Sequence, residues 1–378
     1  MTIIKNIQYT IMTTNEKNDI RLSVLDVENK YKVDYTEYIY GSGNNSDRPV
    51  SWGEDNALPS LYMNCYSKSS TLKAAIMSQI DYVLGDEIIV SDDAAYWKEQ
   101  VNRNGMTMKD LVAKLAFNYA VYGGISLQVV YNRLGQVVEL FPLDFGRCRV
   151  NEKMTKVFYN KKWGKWTAKY DVYDAFDPEH ISMENPTQIF WYKPDYSSAI
   201  YPLPQYNGAI YDILTEIEAS KYSLNTVARG FSARYLIQFP ENRNITDEQK
   251  EGIEDAIKNK FCGSDTDTSF MLYWRNGDGD AEKIEISKIE TDDAPEKYLA
   301  IKDTARTNIF IAMRTSPLIC GLPVSTAFST DEFKDSFKLY NKTVITPIQD
   351  IIKGCLSKIT GIPNIISFAQ FDIDFTQE

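Results

Sequence analysis

The sequence has 378 residues, 43% of them hydrophobic and 25% charged, which is enough to bury a large core in two or three domains. Its net charge of −11 and its pI near 4.9 argue against a general nucleic-acid-binding role, because such binding depends on cations that displace the counterions of phosphate. The five cysteines are scattered without paired spacing, which argues against a disulfide framework and a zinc site. We find no signal peptide and no membrane-spanning apolar run, and we expect a soluble protein of intracellular origin.

The first half of the chain is predicted to mix strands and helices. Residues 1–55 are interpreted as a β-rich segment followed by a linker rich in Gly, Ser, Asn and Asp. Apolar residues at helical spacing predict helices at residues 71–84 and 108–122, and Gly85 and Gly123 end them. Short runs rich in β-branched and aromatic residues predict strands at residues 126–131, 137–141, 157–159, 166–173 and 189–192.

Two long helices with a small module between them follow. Residues 207–233 keep apolar residues at helical spacing for roughly seven turns, an unusually long run for a globular core. Residues 293–315 form the second helix, which Pro317 prevents from continuing. Between the two helices, residues 235–289 predict a strand, a charged helix and two further strands, which together form a βαββ module.

A last helix and a closing strand are predicted after a connector, residues 318–330, that contains a glycine and a proline. The helix at residues 331–361 includes Pro347, which has no N–H for the carbonyl four residues earlier, so a kink is expected near Val344. Residues 365–375 alternate in polarity as a strand does.

Four passages stand in a fixed order along the chain. Residues 71–87 form a compact helix, and residues 111–143 give a helix, Gly-Gly, a strand and "Phe-Pro-Leu". Residues 189–213 enter a long helix through "Tyr-Pro-Leu-Pro", and residues 309–323 read IFIAMRTSPLICGLP. In this order they resemble the tailed-bacteriophage portal protein family, with Arg-Thr-Ser-Pro at residues 314–317 where the family usually has Gly-Val-Pro-Pro. The resemblance covers about residues 56–375 and depends on the shared order more than on any single motif.

The resemblance implies an α+β, portal-like fold with an α/β wing and two long stem helices flanking a small α/β clip, assembled as a ring oligomer. A crown would be minimal or absent. The implied parts are an N-terminal β-rich segment and linker (residues 1–55), the wing (56–205), the first stem helix (206–234), the clip (235–292), the second stem helix (293–317), the tunnel loop (318–330), the kinked channel helix (331–361) and a C-terminal strand returning to the wing (362–378).

The implied function is structural. Members of the family form a closed ring, usually dodecameric, at one capsid vertex of the virion, and we expect assembly in the host cytoplasm. Double-stranded DNA is packaged and ejected through the ring without specific binding. The ring contacts the major capsid protein, docks the terminase large subunit and later docks the tail adaptor protein. No membrane, no cofactor and no enzymatic activity are expected.

The resemblance also assigns roles to particular residues. The tunnel loop would include Leu318, Leu322, Pro323, Val324, Ser325, Thr326, Ala327 and Phe328. The channel-lining candidates are Asp331, Glu332 and Asp335, and the kink of the channel helix falls at Pro347. Docking of partners by the clip would use Glu248, Glu251, Glu254 and Asp255.

Two other function classes remain open at this point. The pairs Asp92-Asp93 and Asp292-Asp293 are compatible with an acidic metal-dependent nuclease or other phosphoryl-processing enzyme, although helix caps need no such role. A different head or tail ring, such as an adaptor, is also compatible with the composition. Trp163 and Trp166 suit either core and interface packing or, less well, a sugar-binding platform.

Overall fold

The computed structural model describes residues 7–9, 22–24, 32–37, 47–163, 169–196, 199–228, 234–239, 246, 249, 252–253, 270–274, 285–289, 295–322 and 330–371. The chain divides into two compact units. The first comprises Met1–Asn64, Ile80–Pro204 and Thr346–Asp374, and the second comprises Cys65–Gln79, Gln205–Ile345 and Phe375–Glu378.

The described residues mix helices with strands, as the sequence predicted. The helices are α1 (Leu58–Lys68), α2 (Ser70–Leu84), α3 (Tyr96–Glu99), α4 (Met108–Tyr122), α5 (Ile210–Ala228), α6 (Pro295–Ala312), α7 (Thr330–Tyr340) and α8 (Thr346–Thr360). The strands are β1 (Ile7–Tyr9), β2 (Leu22–Val24), β3 (Glu87–Val90), β4 (Ile125–Tyr131), β5 (Val137–Pro142), β6 (Cys148–Val150), β7 (Lys156–Tyr159), β8 (Asp171–Ala175), β9 (Thr187–Tyr192), β10 (Arg234–Phe239), β11 (Phe270–Trp274), β12 (Glu285–Ile289) and β13 (Ile366–Ala369).

Helix α4 shows how local signals set an element. Thr107 caps its first turn through a reciprocal capping box with Asp110, and the left-handed Gly123 (φ 82°) ends it. The predicted bounds, residues 108–122, are confirmed. After Gly123 the chain turns at once into β4, and a side chain at Gly124 would collide with the ring of Phe145 at 2.2 Å.

A six-stranded sheet is the main sheet of the first unit, in the order β5-β4-β9-β8-β7-β6. Neighbouring strands are antiparallel except for β8 and β9. The predicted strands pair as two antiparallel hairpins, β4 with β5 and β7 with β8. However, β8 begins at Asp171 rather than at residue 166. The sequence predicted the turn between β7 and β8 near Trp163 and Gly164, and Gly164 lies outside the described residues.

An aromatic cluster forms part of the core of this unit. The ring of Trp52 stacks on Tyr201 with 4.6 Å between centroids and meets Phe145 edge-on at 5.7 Å. Both Trp52 and Tyr201 are fully buried. The hydroxyl of Tyr201 donates to the carbonyl of Val50 at 2.6 Å. Residues that the sequence interpreted as linker therefore belong to the core.

A buried arginine holds the strand β6 region to the start of α1. The guanidinium of Arg149 donates to Asn56 Oδ1 (2.5 Å) and to the carbonyls of Asn56, Gly146 and Cys148 (2.8 Å each). It also lies over the ring of Trp52. Burial lowers the pKa of Arg149 to about 10, because desolvation disfavours the charged form. Its hydrogen-bond acceptors here are neutral oxygens, so these bonds offset the cost of burying the charge.

The C-terminal strand pairs inside the first unit. Strand β13 runs antiparallel to β3, with Ile366 opposite Val90 and Ala369 opposite Glu87. The sequence predicted a strand at residues 365–375 but not its partner β3. The side chain of Gln349 on α8 donates to the carbonyl of Val83 at 2.9 Å.

The second unit contains a three-stranded sheet in the order β11-β10-β12. Strand β10 is parallel to β11 and antiparallel to β12, so the three strands of the predicted βαββ module are confirmed. Most of the helix predicted after β10 lies outside the described residues. Its start is visible, because Thr246 and Gln249 exchange the two hydrogen bonds of a capping box.

Three helix bounds differ from the prediction. Helix α5 begins after a 3₁₀ turn at Gln205–Ala209, so the helix predicted from residue 207 starts later. Helix α6 ends at Ala312 rather than at residue 315, because Arg314 adopts a left-handed conformation (φ 52°) and the Thr315 N–H donates back to Phe310. The predicted last helix is divided into α7, a π-helical segment at Asn341–Ile345, and α8.

The π-helical segment lies where the sequence placed a local disturbance. Pro347 is the second residue of α8, and the carbonyl four residues before it, that of Thr343, belongs to the π-helical turn. A π-bulge is one of the few ways for a helix to absorb a broken hydrogen-bond ladder. The sequence predicted a kink near Val344, and the structure has a π-helical turn there, at Asn341–Ile345.

We expect the Arg149→Met substitution to lower the free energy of unfolding by about 2–3 kcal/mol, because it leaves several buried acceptors without donors. Urea denaturation followed by tryptophan fluorescence measures this change. The control is Arg103→Met, which removes an exposed arginine from its ion pair with Glu139 and should change little. Equal effects of the two substitutions would contradict this account of Arg149.

Candidate functional site

Helices α5 and α6 form an antiparallel pair in the second unit. Near one end, the Asn308 side chain donates to Asp212 at 2.9 Å, and near the other the rings of Tyr222 and Tyr298 stack with 4.5 Å between centroids. The two contacts are separated by the same number of residues on α5 as on α6, and this fixes the register of the two helices. The pair is the most extended feature of this unit in the described residues.

Each of the two helices also carries apolar residues that are buried. Ile213 and Ile217 on α5 are buried, and so are Ala305 and Ile309 on α6. These positions follow the three-four spacing that the sequence showed. The predicted buried stripes are confirmed only in part, because Tyr298 and Ile301 on α6 and Leu224 on α5 belong to the same predicted stripes and are exposed. Burying each isoleucine contributes about 1.5–3 kcal/mol relative to leaving it exposed.

A carboxylate is buried on the same helix. Glu216 on α5 is 2% exposed and accepts hydrogen bonds from the hydroxyls of Ser69, Ser70 (3.0 Å) and Thr71 (2.7 Å). The N–H of Thr71 also points at it, at 3.4 Å. Ser69 is itself the N-cap of α2, because its oxygen accepts from the N–H of Leu72 at 3.0 Å.

Glu216 therefore places a negative charge at the positive end of α2, where the helix dipole stabilises it. The sequence analysis did not identify this residue. A signal was present, since Glu216 lies between apolar residues that are themselves buried, Leu214 and Ile217. Its partners are about 145 residues away in the chain, so no local pattern could name them.

The outward sides of the helix pair carry large apolar side chains that remain exposed. On α6, Leu299 is 62% and Ile311 67% exposed, and Ile301 is exposed as well. On α5, Tyr211 and Leu224 are exposed. Exposed apolar side chains grouped on one element are typical of a surface that binds another protein.

Leu299 and Ile311 point away from α5 in two different directions. They lie about 120° apart around the axis of α6, since each residue turns the helix by about 100°. Tyr298 and Asn308, which contact α5, lie on the remaining side of the helix. The helix therefore presents exposed apolar side chains on two flanks.

The predicted tunnel loop is described only at its start. Leu318 and Leu322 lie half-exposed in a turn, in which the Leu322 N–H donates to the carbonyl of Pro317 at 2.9 Å. The remaining predicted loop residues lie outside the described residues: Pro323, Val324, Ser325, Thr326, Ala327 and Phe328.

The predicted channel-lining acids lie on α7. Glu332 and Asp335 are exposed there, and Asp331 belongs to the same helix, although its side chain is not among those described. The clip residues Glu248, Glu251, Glu254 and Asp255 lie outside the described residues.

The described residues also bear on the enzyme alternative. Asp92 and Asp93 form the first turn of a 3₁₀ helix, Asp92–Ala94. Across the described ranges, no three His, Cys, Asp or Glu side chains come together in a group that could hold a metal ion. Within the same ranges, none of the helices combines the length and the apolar character that crossing a membrane requires.

Comparison with known proteins gives structural matches only. No family model matches the sequence, and no curated protein does. A chain in the virion of a native gene transfer agent particle is similar at a TM-score of 0.56 and 14% identity, over 88% of each chain. A chain in the neck of the native particle, computed with C12 symmetry, is similar at a TM-score of 0.55 and 15% identity, over 87% of each chain. The crystal structure of an HK97 family phage portal protein from Corynebacterium diphtheriae matches at a TM-score of 0.48 and 9% identity, over 78% of this chain and 88% of that one.

The two matches to chains of the gene transfer agent particle show that this chain shares their mixed helix-and-sheet fold.

We expect the Glu216→Ala substitution to lower the free energy of unfolding by about 2–3 kcal/mol, because the cap of α2 loses its charged acceptor. Glu218→Ala is the control on the same helix. It removes a partly exposed ion pair with Lys221 and should cost less than about 1 kcal/mol. Urea denaturation monitored by circular dichroism compares the two variants. If Glu216→Ala were as mild as Glu218→Ala, the network around α2 would not stabilise the unit.

Proposed function

We propose that this chain is a portal protein that forms a closed ring at the capsid vertex of a virion, through which double-stranded DNA is packaged and ejected. The observation that carries the proposal is the α5–α6 pair, which buries one apolar stripe per helix and leaves Leu299, Ile301 and Ile311 exposed. The likeness to virion and neck chains supplies the fold in which such a pair would be used.

A ring built from identical subunits needs two different, complementary faces on each subunit. Apolar residues on the two flanks of α6 provide candidates for both faces. We propose that these residues of one copy pack against the helix pair of the next copy, so that the pairs together form the wall of the ring. In the terms of the family, α5 and α6 are the stem helices, β10–β12 belong to the clip, and the six-stranded sheet belongs to the wing. A dodecamer is the proposed assembly.

The charge of the chain suits a passage for DNA. A net charge of −11 repels phosphate, and a duplex that must slide is slowed by cations along its path. Glu332 and Asp335 are exposed on α7, directly after the loop, and we propose that they and Asp331 line the channel. The loop at residues 318–330 would form the constriction, and the π-helical turn before Pro347 would let the channel helix adjust.

The partners follow from this role. We propose that the clip, with Glu248, Glu251, Glu254 and Asp255, docks the terminase large subunit during packaging and the tail adaptor protein afterwards. The wing would contact the major capsid protein. Assembly would take place in the host cytoplasm, before the ring becomes part of the virion.

The ring interface can be tested by introducing aspartate at one buried position and, separately, at two exposed positions of α6. Ile309→Asp buries a charge at a fully buried position and should unfold the subunit, whereas Ile311→Asp and Leu299→Asp should leave it folded and abolish the ring. Ile311→Val keeps an apolar side chain and should still form rings. Mass photometry gives the oligomer size and circular dichroism gives the helix content. Unchanged rings in both Ile311→Asp and Leu299→Asp would contradict this interface.

The loop can be tested by deletion of residues 324–328. The deletion removes no Lys or Arg, so rings and proheads should form as in the wild type. Packaging should then fail late, or packaged DNA should leak, because the constriction that holds the duplex by shape is missing. Nuclease protection of packaged DNA measures retention. Full retention by the deletion variant would show that the loop only connects two helices.

A further inference from the structure

A strongly basic segment interrupts this acidic chain. Between residues 151 and 170 the sequence has six lysines and one acid, Glu152. The lysines are Lys153, Lys156, Lys161, Lys162, Lys165 and Lys169. Aromatic residues alternate with them, among them Phe158, Trp163 and Tyr170. The net charge of the whole chain conceals this local excess of positive charge.

The structure brings the lysines that it describes, all of these except Lys165, to one edge of the six-stranded sheet. Strand β7 is next to the edge strand β6, and the lysines lie on β7 and on the turns at its two ends. Lys153 is exposed at one end, and Lys161, Lys162 and Lys169 are exposed at the other. Lys165 lies outside the described residues. The two ends of β7 are about 10 Å apart, from the rise of a strand.

The turn that carries Lys161 and Lys162 is held in one conformation. Asn160 Oδ1 accepts from the Lys162 N–H at 3.0 Å, and Asn160 Nδ2 donates to the Lys162 carbonyl at 3.1 Å. The indole N–H of Trp163 donates to the carbonyl of Arg147 at 2.7 Å, and its ring stacks on Tyr170. Trp163 therefore packs as part of the turn, and the two neighbouring ammonium groups are presented from a fixed backbone.

Most of these charges have no ion-pair partner within the part of the chain that is described. Lys156 pairs with Asp174 at 3.5 Å. Lys153, Lys161, Lys162 and Lys169 are exposed and form no such pair in those ranges. The nearest acid in sequence to the second group is Asp171, the first residue of β8. The patch therefore keeps an excess of unneutralised positive charge.

We infer that this lysine patch binds the phosphate backbone of double-stranded DNA without reading its sequence. Lysine ammonium groups bind phosphate as point charges, and a spread of about 10 Å covers several phosphates along one strand. A protein partner is the weaker fit, since lysine is depleted in protein interfaces and the described part of the patch offers an aromatic ring, Trp163, that is already packed. The inference rests on the proposed function, which brings DNA to this protein. Because cations slow a sliding duplex, the patch serves to hold DNA that is not being translocated.

The test is fluorescence anisotropy of a labelled short DNA duplex, titrated with wild-type protein at several salt concentrations. The wild type should bind at low salt with an affinity that falls steeply as salt rises. Lys161→Glu/Lys162→Glu should weaken binding about tenfold or more and lower the salt slope by about one for each lysine. Lys161→Gln/Lys162→Gln should also weaken DNA binding, but by a smaller factor. Lys109→Glu/Lys114→Glu, exposed on α4 beside Asp110, changes the net charge equally and should bind nearly as the wild type does.

Three results would overturn the inference: no DNA binding by the wild type at low salt, equal loss in the two charge reversals, or binding of a poly-glutamate peptide as tight as that of DNA. The last result would assign the patch to an acidic protein. Mass photometry of the same samples separates this test from that of the proposed function. Rings that fail to bind DNA contradict only the patch, whereas DNA binding without rings contradicts only the portal assembly.

Discussion

Two helices packed side by side cannot bury all of their apolar surface, and the proposed assembly of the protein depends on this constraint. Ile213 and Ile217 on α5 and Ile309 on α6 are buried, yet Leu299 and Ile311 stay in contact with water. A pair of this kind gains stability from the apolar residues that it buries. The rest of its apolar surface gains only when another chain covers it, and this links the packing of the pair to assembly.

The buried carboxylate of Glu216 adds a second constraint on the same helix. A charge removed from water has to be matched by hydrogen bonds, and here Ser69, Ser70 and Thr71 provide them at the start of α2. The arrangement satisfies a helix N-terminus and a buried anion with one set of contacts. These hydrogen bonds fix the position of α5 relative to the α1–α2 junction. A rotation of α5 would therefore leave both the Glu216 carboxylate and the N-terminus of α2 without their partners.

The sequence was sufficient for elements whose signals are local. Helix α4 was predicted with its bounds from its apolar spacing and from Gly123 at its end, and the structure adds the capping box of Thr107 and Asp110 at its start. Pairings between distant segments could not be predicted: the contact of Arg149 with Asn56 spans 93 residues, and β13 meets β3 across most of the chain. The early end of α6 depends on Arg314 in a left-handed conformation that few non-glycine residues adopt.

The same distinction, between what local signals predict and what they do not, applies to the candidate site. The apolar residues of α5 and α6 were recognised from their spacing. The exposure of Ile311 was not, because spacing alone does not say which apolar residues remain uncovered. The roles of the loop from Leu318 and of Glu332 and Asp335 came from the family resemblance and remain predictions. The net charge of −11 averages over the lysines of residues 151–170, so it does not reveal their local excess of positive charge.

The central claim is that the uncovered surface of the α5–α6 pair closes a ring. Negative-stain electron microscopy of the purified wild-type chain tests it most directly. We expect end-on views of closed rings with rotational symmetry and a central opening. A uniform population of monomers or dimers, with no closed rings at any protein concentration, would contradict it.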